Sequence, residues 1–382
     1  MSVPFPADHS SPDFPRSTPA GRRAGSMPQA LTFDATSSRG AEVLHLLEYD
    51  LPSPRSHEVL IKFLACPINP LDLNVLAGKY PFKPKNFIQK EYVAGFDGVA
   101  KVVESGSDAN GFQTDDLVIP NGLGLGTWRT HATLDATSLL KLPPRTDVAF
   151  AAILKMGVMP AYLLVEDMRM LKPGDWIIQN AGTGVISQMV SQFARLRGVR
   201  TISVIRDREE RDTINGVGST PLSKDDIVLE EQELPHSSAL EGKRIVLALD
   251  SVFGASAEKI AARLSLGATF VNFGLLAGGG PAARFNLTSE HIFWKQITFK
   301  SFRSSQQLAQ RTETEINHLY EWFTQLFNEG QLRLPHLTTV EWDPAKVEVG
   351  DHLRESIDRA QNGGIGTKKT ILLFKDALND KQ

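Results

Sequence analysis

Beyond Ala149, short apolar runs at 176–179, 201–205, 245–249, 269–273 and 297–302 alternate with stretches of helical periodicity. A strand that returns to a parallel neighbour needs a crossover long enough to climb back along the sheet, and a helix is the usual one. This half of the chain therefore predicts a doubly wound α/β sheet. The first half has a different rhythm. Its β-type runs at 58–63, 98–104, 117–119 and 127–133 are separated by Gly and Pro, which is the spacing of a partly open β-barrel.

A chain of 382 residues exceeds the usual single core, so two packed domains are expected, the barrel at 27–150 and the sheet at 151–303. A helix at 313–328 and a final β run at 370–374 are too little for a third domain. The segment 304–382 is expected to return to the first. Residues 1–26 are rich in Pro, Ser and small residues, carry Arg16, Arg22 and Arg23, and lack periodicity, so they read as disordered. They suit either a mitochondrial presequence or a plain tail of a cytoplasmic protein, with Asp8, Asp13 and five prolines weighing against the presequence.

Composition excludes several classes. A net charge of -3 gives no general attraction for nucleic acid, and 41% hydrophobic with 22% charged residues is ordinary for a globular enzyme. No apolar run is long enough to predict a membrane span. Cys66 is the single cysteine, so no intrachain disulfide can form.

The segment 175–184, Asp-Trp-Ile-Ile-Gln-Asn-Ala-Gly-Thr-Gly, runs a buried strand into a glycine turn, and 185–196 has the periodicity of a helix. A pyrophosphate can rest on the start of such a helix, where free N–H groups and the macrodipole favour negative charge. The turn holds two glycines of the usual three-glycine fingerprint, so alone it also fits an ordinary βα turn. The next strand adds to it. Where an enzyme using NAD places an acid for the ribose hydroxyl, this chain has Arg206-Asp207-Arg208. Guanidinium forks match a 2′-phosphate, which points to a Rossmann-type domain taking NADPH; the alternative is a solvated charge cluster.

A catalytic zinc in an enzyme of this broad fold needs a cysteine, a histidine in a Gly-His-Glu turn and a third ligand. The corresponding turn here is Gly95-Phe96-Asp97-Gly98, and phenylalanine cannot ligate a metal. No metal site is expected. Hydride addition to a conjugated double bond remains feasible, since a thioester delocalises the arriving charge and a hydroxyl completes the protonation.

Taken together, 67–74 (Pro-Ile-Asn-Pro-Leu-Asp-Leu-Asn), Gly78-Lys79-Tyr80, 119–130 (Ile-Pro-Asn-Gly-Leu-Gly-Leu-Gly-Thr-Trp-Arg-Thr), 179–183 and 204–208 resemble the mitochondrial-type trans-2-enoyl-thioester reductases, zinc-free members of the medium-chain dehydrogenase/reductase superfamily. The similarity runs from about Met27 to the C-terminus. It implies a GroES-like barrel beside the Rossmann domain, NADPH as cofactor, an enoyl thioester of coenzyme A or acyl carrier protein as substrate, fatty acid synthesis as the setting, and a homodimer joined near Phe299.

The resemblance makes Tyr80 the catalytic tyrosine, a phenol able to hand a proton to the substrate's α-carbon. Asn69 and Asn74 either orient the thioester carbonyl or cap a turn, and Trp128 either touches substrate or packs between the domains. For the cofactor it selects Thr183, Gly184, Val185 and Ile186; Arg206, Asp207 and Arg208; Phe273, Gly274, Leu275 and Leu276; Phe302, Arg303, Ser304 and Ser305; and Lys369, for which Lys368 serves equally. The chain departs from the family where an Asn-Pro pair followed by Thr-Ala-Tyr is expected: it reads Lys155-Met-Gly-Val-Met-Pro-Ala-Tyr162, with Gly157 at the asparagine position. Ser301-Phe302-Arg303 likewise replaces Gly-Phe-Trp. These changes keep open a quinone or enone reductase of the same fold, or an NADPH-binding paralogue with little catalysis.

Overall fold

The computed structural model describes residues 27–80, 82–206, 226–278, 283–362 and 369–375. The N-terminal part supplies β1 (Gln29–Phe33), β2 (His45–Glu48), β3 (Glu58–Pro67), β4 (Phe87–Ile88), β5 (Glu91–Val93), β6 (Val99–Ser105), β7 (Leu117–Pro120), β8 (His131–Asp135) and β9 (Leu139–Lys141). The middle part adds β10 (Trp176–Gln179), β11 (Arg200–Ile205), β12 (Ile227–Glu230), β13 (Ile245–Asp250), β14 (Thr269–Asn272) and β15 (Thr298–Ser301). The last part contributes β16 (Leu337–Trp342) and β17 (Lys369–Phe374).

Two of the three sheets belong to the barrel. One has the order β2-β1-β5-β4 and the other β16-β17-β3-β6-β7-β9, with β8 also paired to β3. In β3, Val59, Ile61 and Phe63 point inward in strict alternation. From Leu64 onward both faces are buried, because Leu64 and Ala65 pack against the helical stretch that begins at Val148. β17 lies antiparallel to β3, with Leu372 opposite Cys66, so the chain's end closes this sheet.

The remaining sheet is parallel throughout, in the order β12-β11-β10-β13-β14-β15. Its residues alternate between two cores: Ile177, Leu247 and Val271 face one, Ile178, Ile202 and Phe270 the other. Burial on both faces is why these strands read as continuous apolar runs.

Some expectations need correction. Residues 127–130 are not strand; Trp128 instead exchanges backbone hydrogen bonds with Leu31 and Ala94, and pairing resumes at His131. Phe273, Ile297 and Phe302 lie just outside their strands. β16 and the helix Val349–Asn362 were not anticipated, since only two of the six β16 residues are buried and its apolar pattern is weak. The run Val148–Glu166 is one helix long and apolar enough to cross a membrane, but 72% of it is buried inside the protein, as for a core helix.

Candidate active site

β10 delivers the chain to the turn Asn180–Gly184, and the helix Val185–Leu196 starts from Gly184. Gly182 lies against β11 so closely that a β-carbon would stand 2.8 Å from that of Ser203. Thr183 is buried; its carbonyl accepts from Gln188 Nε2 at 2.6 Å, but its hydroxyl has no hydrogen-bond partner among the described residues. An orphaned hydroxyl costs about 1–3 kcal/mol, which a phosphate oxygen accepting from it would relieve. Arg206 closes β11 and lines a cleft with Asn180, Ala181, Glu231 and Ser256. Asp207 and Arg208 lie outside the described residues.

Asp250 at the end of β13 ties the neighbouring loops together. Its Oδ1 accepts from Asn180 Nδ2 (2.6 Å) and from the N–H groups of Val252 and Phe253, and its Oδ2 from Asn272 Nδ2 at 2.7 Å. This fixes the course of the chain after β14. Gly274 approaches Ser251 so closely that a β-carbon would fall 2.8 Å from its carbonyl oxygen, and Leu275 and Leu276 are exposed beyond it. After β15, Phe302 is buried in the core, whereas Arg303 is exposed at the start of the helix Ser304–Leu308, which carries Ser305. Val185 is buried and Ile186 packs on the same core.

On the barrel side, the helix Pro70–Leu76 carries a candidate residue at each end. Asn69 precedes it, buried, and Tyr80 follows it, 45% exposed. Asn74 is exposed on the helix itself. Asp72 accepts from the Asn69 N–H at 2.6 Å, which caps the helix. Lys369, at the start of β17, donates to the Ile68 carbonyl and to Asn69 Oδ1, both at 2.9 Å. The Asn69 amide nitrogen is left with a weak acceptor, the Met156 sulfur at 3.6 Å. Lys368 lies outside the described residues.

Trp128 packs inside the barrel rather than between the domains. It is fully buried in the barrel core, its indole N–H reaching the Pro67 carbonyl at 3.4 Å. Gly95 packs against it, where a β-carbon would stand 2.4 Å from Trp128 Cδ1. Phe96 is buried in the same core.

Four ionisable groups share this region. Burial pushes the Asp72 carboxyl up from 3.8 to about 7, with the Asn69 N–H and Lys369 opposing it. Burial likewise raises Asp97 to about 6, against the pull of Lys155 and the Gly98 N–H. Burial lowers the Lys369 ammonium from 10.5 to about 8 despite the attraction of both carboxylates. It also lowers Lys155, beside Asp97. Sequence reasoning missed Asp72, Asp97, Lys155, Met156 and Asp250 as parts of the site. Two signals were available: Asp72 stands three residues after Asn69, the spacing of a helix cap, and Lys155 is the lone charge within the apolar stretch 148–165.

The comparisons agree with this architecture. Residues 55–144 match the alcohol dehydrogenase GroES-like domain. In overall shape the chain is similar to the Etr1p/NADP/crotonyl-CoA complex, at a TM-score of 0.78 and 24% identity over 91% of this chain and 99% of that one. It is also similar to the mitochondrial 2-enoyl thioester reductase Etr1p/Etr2p heterodimer from Candida tropicalis, at 0.77 and 25% over the same shares. Barrel, parallel sheet and turn together define a medium-chain dehydrogenase/reductase. Over 308 residues the chain is 32% identical to the Homo sapiens protein named enoyl-[acyl-carrier-protein] reductase, mitochondrial, covering 78% of this chain and 79% of that one. The chain belongs to this family of mitochondrial enoyl-[acyl-carrier-protein] reductases.

Proposed function

We propose that the protein reduces the 2,3-double bond of a trans-2-enoyl thioester, carried on coenzyme A or acyl carrier protein, in mitochondrial fatty acid synthesis. The observation that carries this reading is the Asn69 amide. With its oxygen occupied by Lys369, its N–H can turn from the Met156 sulfur to a thioester carbonyl. Bound NADPH supplies the hydride, which ends on the substrate's β-carbon. Asn69 then donates to the carbonyl oxygen, where negative charge gathers, and Tyr80 delivers a proton to the α-carbon.

The residues fit that cofactor. Thr183, Gly184, Val185 and Ile186 form the pyrophosphate seat, Arg206 meets the 2′-phosphate, and the segments 273–276 and 302–305 follow the nicotinamide half. Lys369 contributes the one ammonium proton left after Ile68 and Asn69. A second copy is proposed to cover the free edge of β15, beside which Ile292, Phe293 and Trp294 are exposed.

Protein mixed with NADPH and a crotonyl thioester should consume the nicotinamide absorbance. Tyr80→Phe should lower that rate strongly with NADPH affinity intact. Turnover of quinones alone, indifferent to Tyr80, would replace this reading with a quinone reductase, and tight NADPH binding without any turnover would replace it with a binding protein.

A further inference from the structure

Lys155 lies on a single π-helical turn, Leu154–Val158, inside the helical run that joins barrel and sheet. Such turns displace one residue from the regular ladder and are frequent at functional sites. Here the turn reaches three parts of the site at once. Lys155 donates to the carbonyls of Pro120 (2.8 Å) and Gly122 (2.5 Å), where β7 gives way to a loop. Met156 receives the Asn69 amide, and Gly157 rests on the first residue of the helix after the nucleotide turn, where a β-carbon would stand 2.8 Å from Val185 Cγ1.

The loop gripped by Lys155 supports the segment that follows Tyr80. The Lys85 N–H donates to the Gly124 carbonyl at 2.8 Å and Asn86 Nδ2 to the Leu125 carbonyl at 2.9 Å. Gly124 has φ +87° and leaves 2.9 Å between a notional β-carbon and Phe82 Cε1. Phe82 in turn packs on Phe96 at 5.8 Å between ring centres. Two hydrogen bonds and the packing of Phe82 thus connect the loop held by the ammonium to residues 82–86.

A half-buried cation is a poor device for stability, since an apolar side chain of similar volume would avoid the loss of hydration. Two carbonyl oxygens around its ammonium give it a geometric task. We propose that Lys155 is a positioning residue for the reduction, holding the 120–126 loop so that the segment after Tyr80 presents the phenol to the α-carbon. This inference rests on the role proposed for Tyr80.

A double-mutant cycle tests it, with Lys155→Met, Tyr80→Phe and the pair, each assayed with NADPH and a crotonyl thioester. Lys155→Met should lower kcat about ten- to a hundredfold, the effect of a misplaced catalytic group, with NADPH affinity unchanged. Lys155→Arg, which retains donors for both carbonyls, should recover most of the loss. In the Tyr80→Phe background Lys155→Met should change kcat less than twofold, because the group it positions is gone. An equal loss in both backgrounds, or full activity of Lys155→Met, overturns the inference. If Tyr80→Phe alone has no effect, the role of Tyr80 falls and this inference with it; a strong Tyr80→Phe effect with additive losses removes only Lys155. Should Lys155→Met fail to fold, Lys155→Gln takes its place in the cycle with the same two outcomes.

Discussion

Lys369 and Asn69, 300 residues apart in sequence, meet at 2.9 Å, and the direction of that hydrogen bond decides which end of the asparagine amide is left for a ligand. The ammonium can only donate, so the oxygen is taken and the N–H remains. Lys369→Met would free the amide to rotate. A hydrogen bond to a charged group contributes about 1.5–3 kcal/mol, so kcat with an enoyl thioester should fall by one to two powers of ten. An unchanged kcat in steady-state assays would remove Asn69 from the mechanism.

Arg206 is expected to separate the two nicotinamide cofactors. Arg206→Gln removes a charge-assisted contact to the 2′-phosphate, so the preference for NADPH over NADH should drop about ten- to a hundredfold, measured as a ratio of kcat/KM values. Binding of NADH should be nearly unaffected. If both cofactors lose affinity equally, Arg206 supports the fold of the turn instead.

The raised pKa of Asp72 makes a prediction about stability. Between the ordinary value of 3.8 and about 7 the folded state holds a proton that the unfolded state has released. Folded protein binds more protons there, so this group subtracts stability progressively as pH rises through the window, and the penalty is complete above about 7. Asp72→Asn cannot titrate. Its melting temperature relative to wild type should therefore climb from pH 4 to pH 7, whatever the constant offset from the altered helix cap, and parallel curves would contradict the assignment.

Trp128 should behave as a core residue. Trp128→Ala should cost about 3–5 kcal/mol in denaturant unfolding, and Trp128→Phe should leave KM for the thioester unchanged. A raised KM in a well-folded Trp128→Phe protein would return the indole to the substrate.

Gly157 tests the contact between the π turn and the helix after the nucleotide turn. Alanine in place of a helical glycine gains about 1 kcal/mol from backbone entropy, while crowding a packed site costs about 1–3. Val185, stiff at χ1, cannot easily yield. Gly157→Ala is thus expected to be net destabilising by thermal melting and to weaken NADPH binding in a fluorescence titration.

Much of this protein was legible without coordinates. The helices at Val185–Leu196 and Glu313–Asn328 and the strand Trp176–Gln179 appear where periodicity placed them, because each presents a continuous apolar face to its neighbours. The weaker elements escaped. Only half of β12 and a third of β16 is buried, so their pattern is diluted, and the short strands β4 and β5 of two and three residues carry too few positions to show one.

The sequence by itself determined the alternation of the parallel sheet, the glycine turn after β10 and the lone thiol, since each depends on residues close together in the chain. Only the tertiary structure decided that Trp128 fills the barrel core, that Lys369 turns the Asn69 amide, and that Lys155 joins the helix to the loop after β7. Those contacts link residues dozens to hundreds of positions apart. Periodicity records which face of an element is buried, but the partner that a buried charge finds there depends on where the rest of the chain returns.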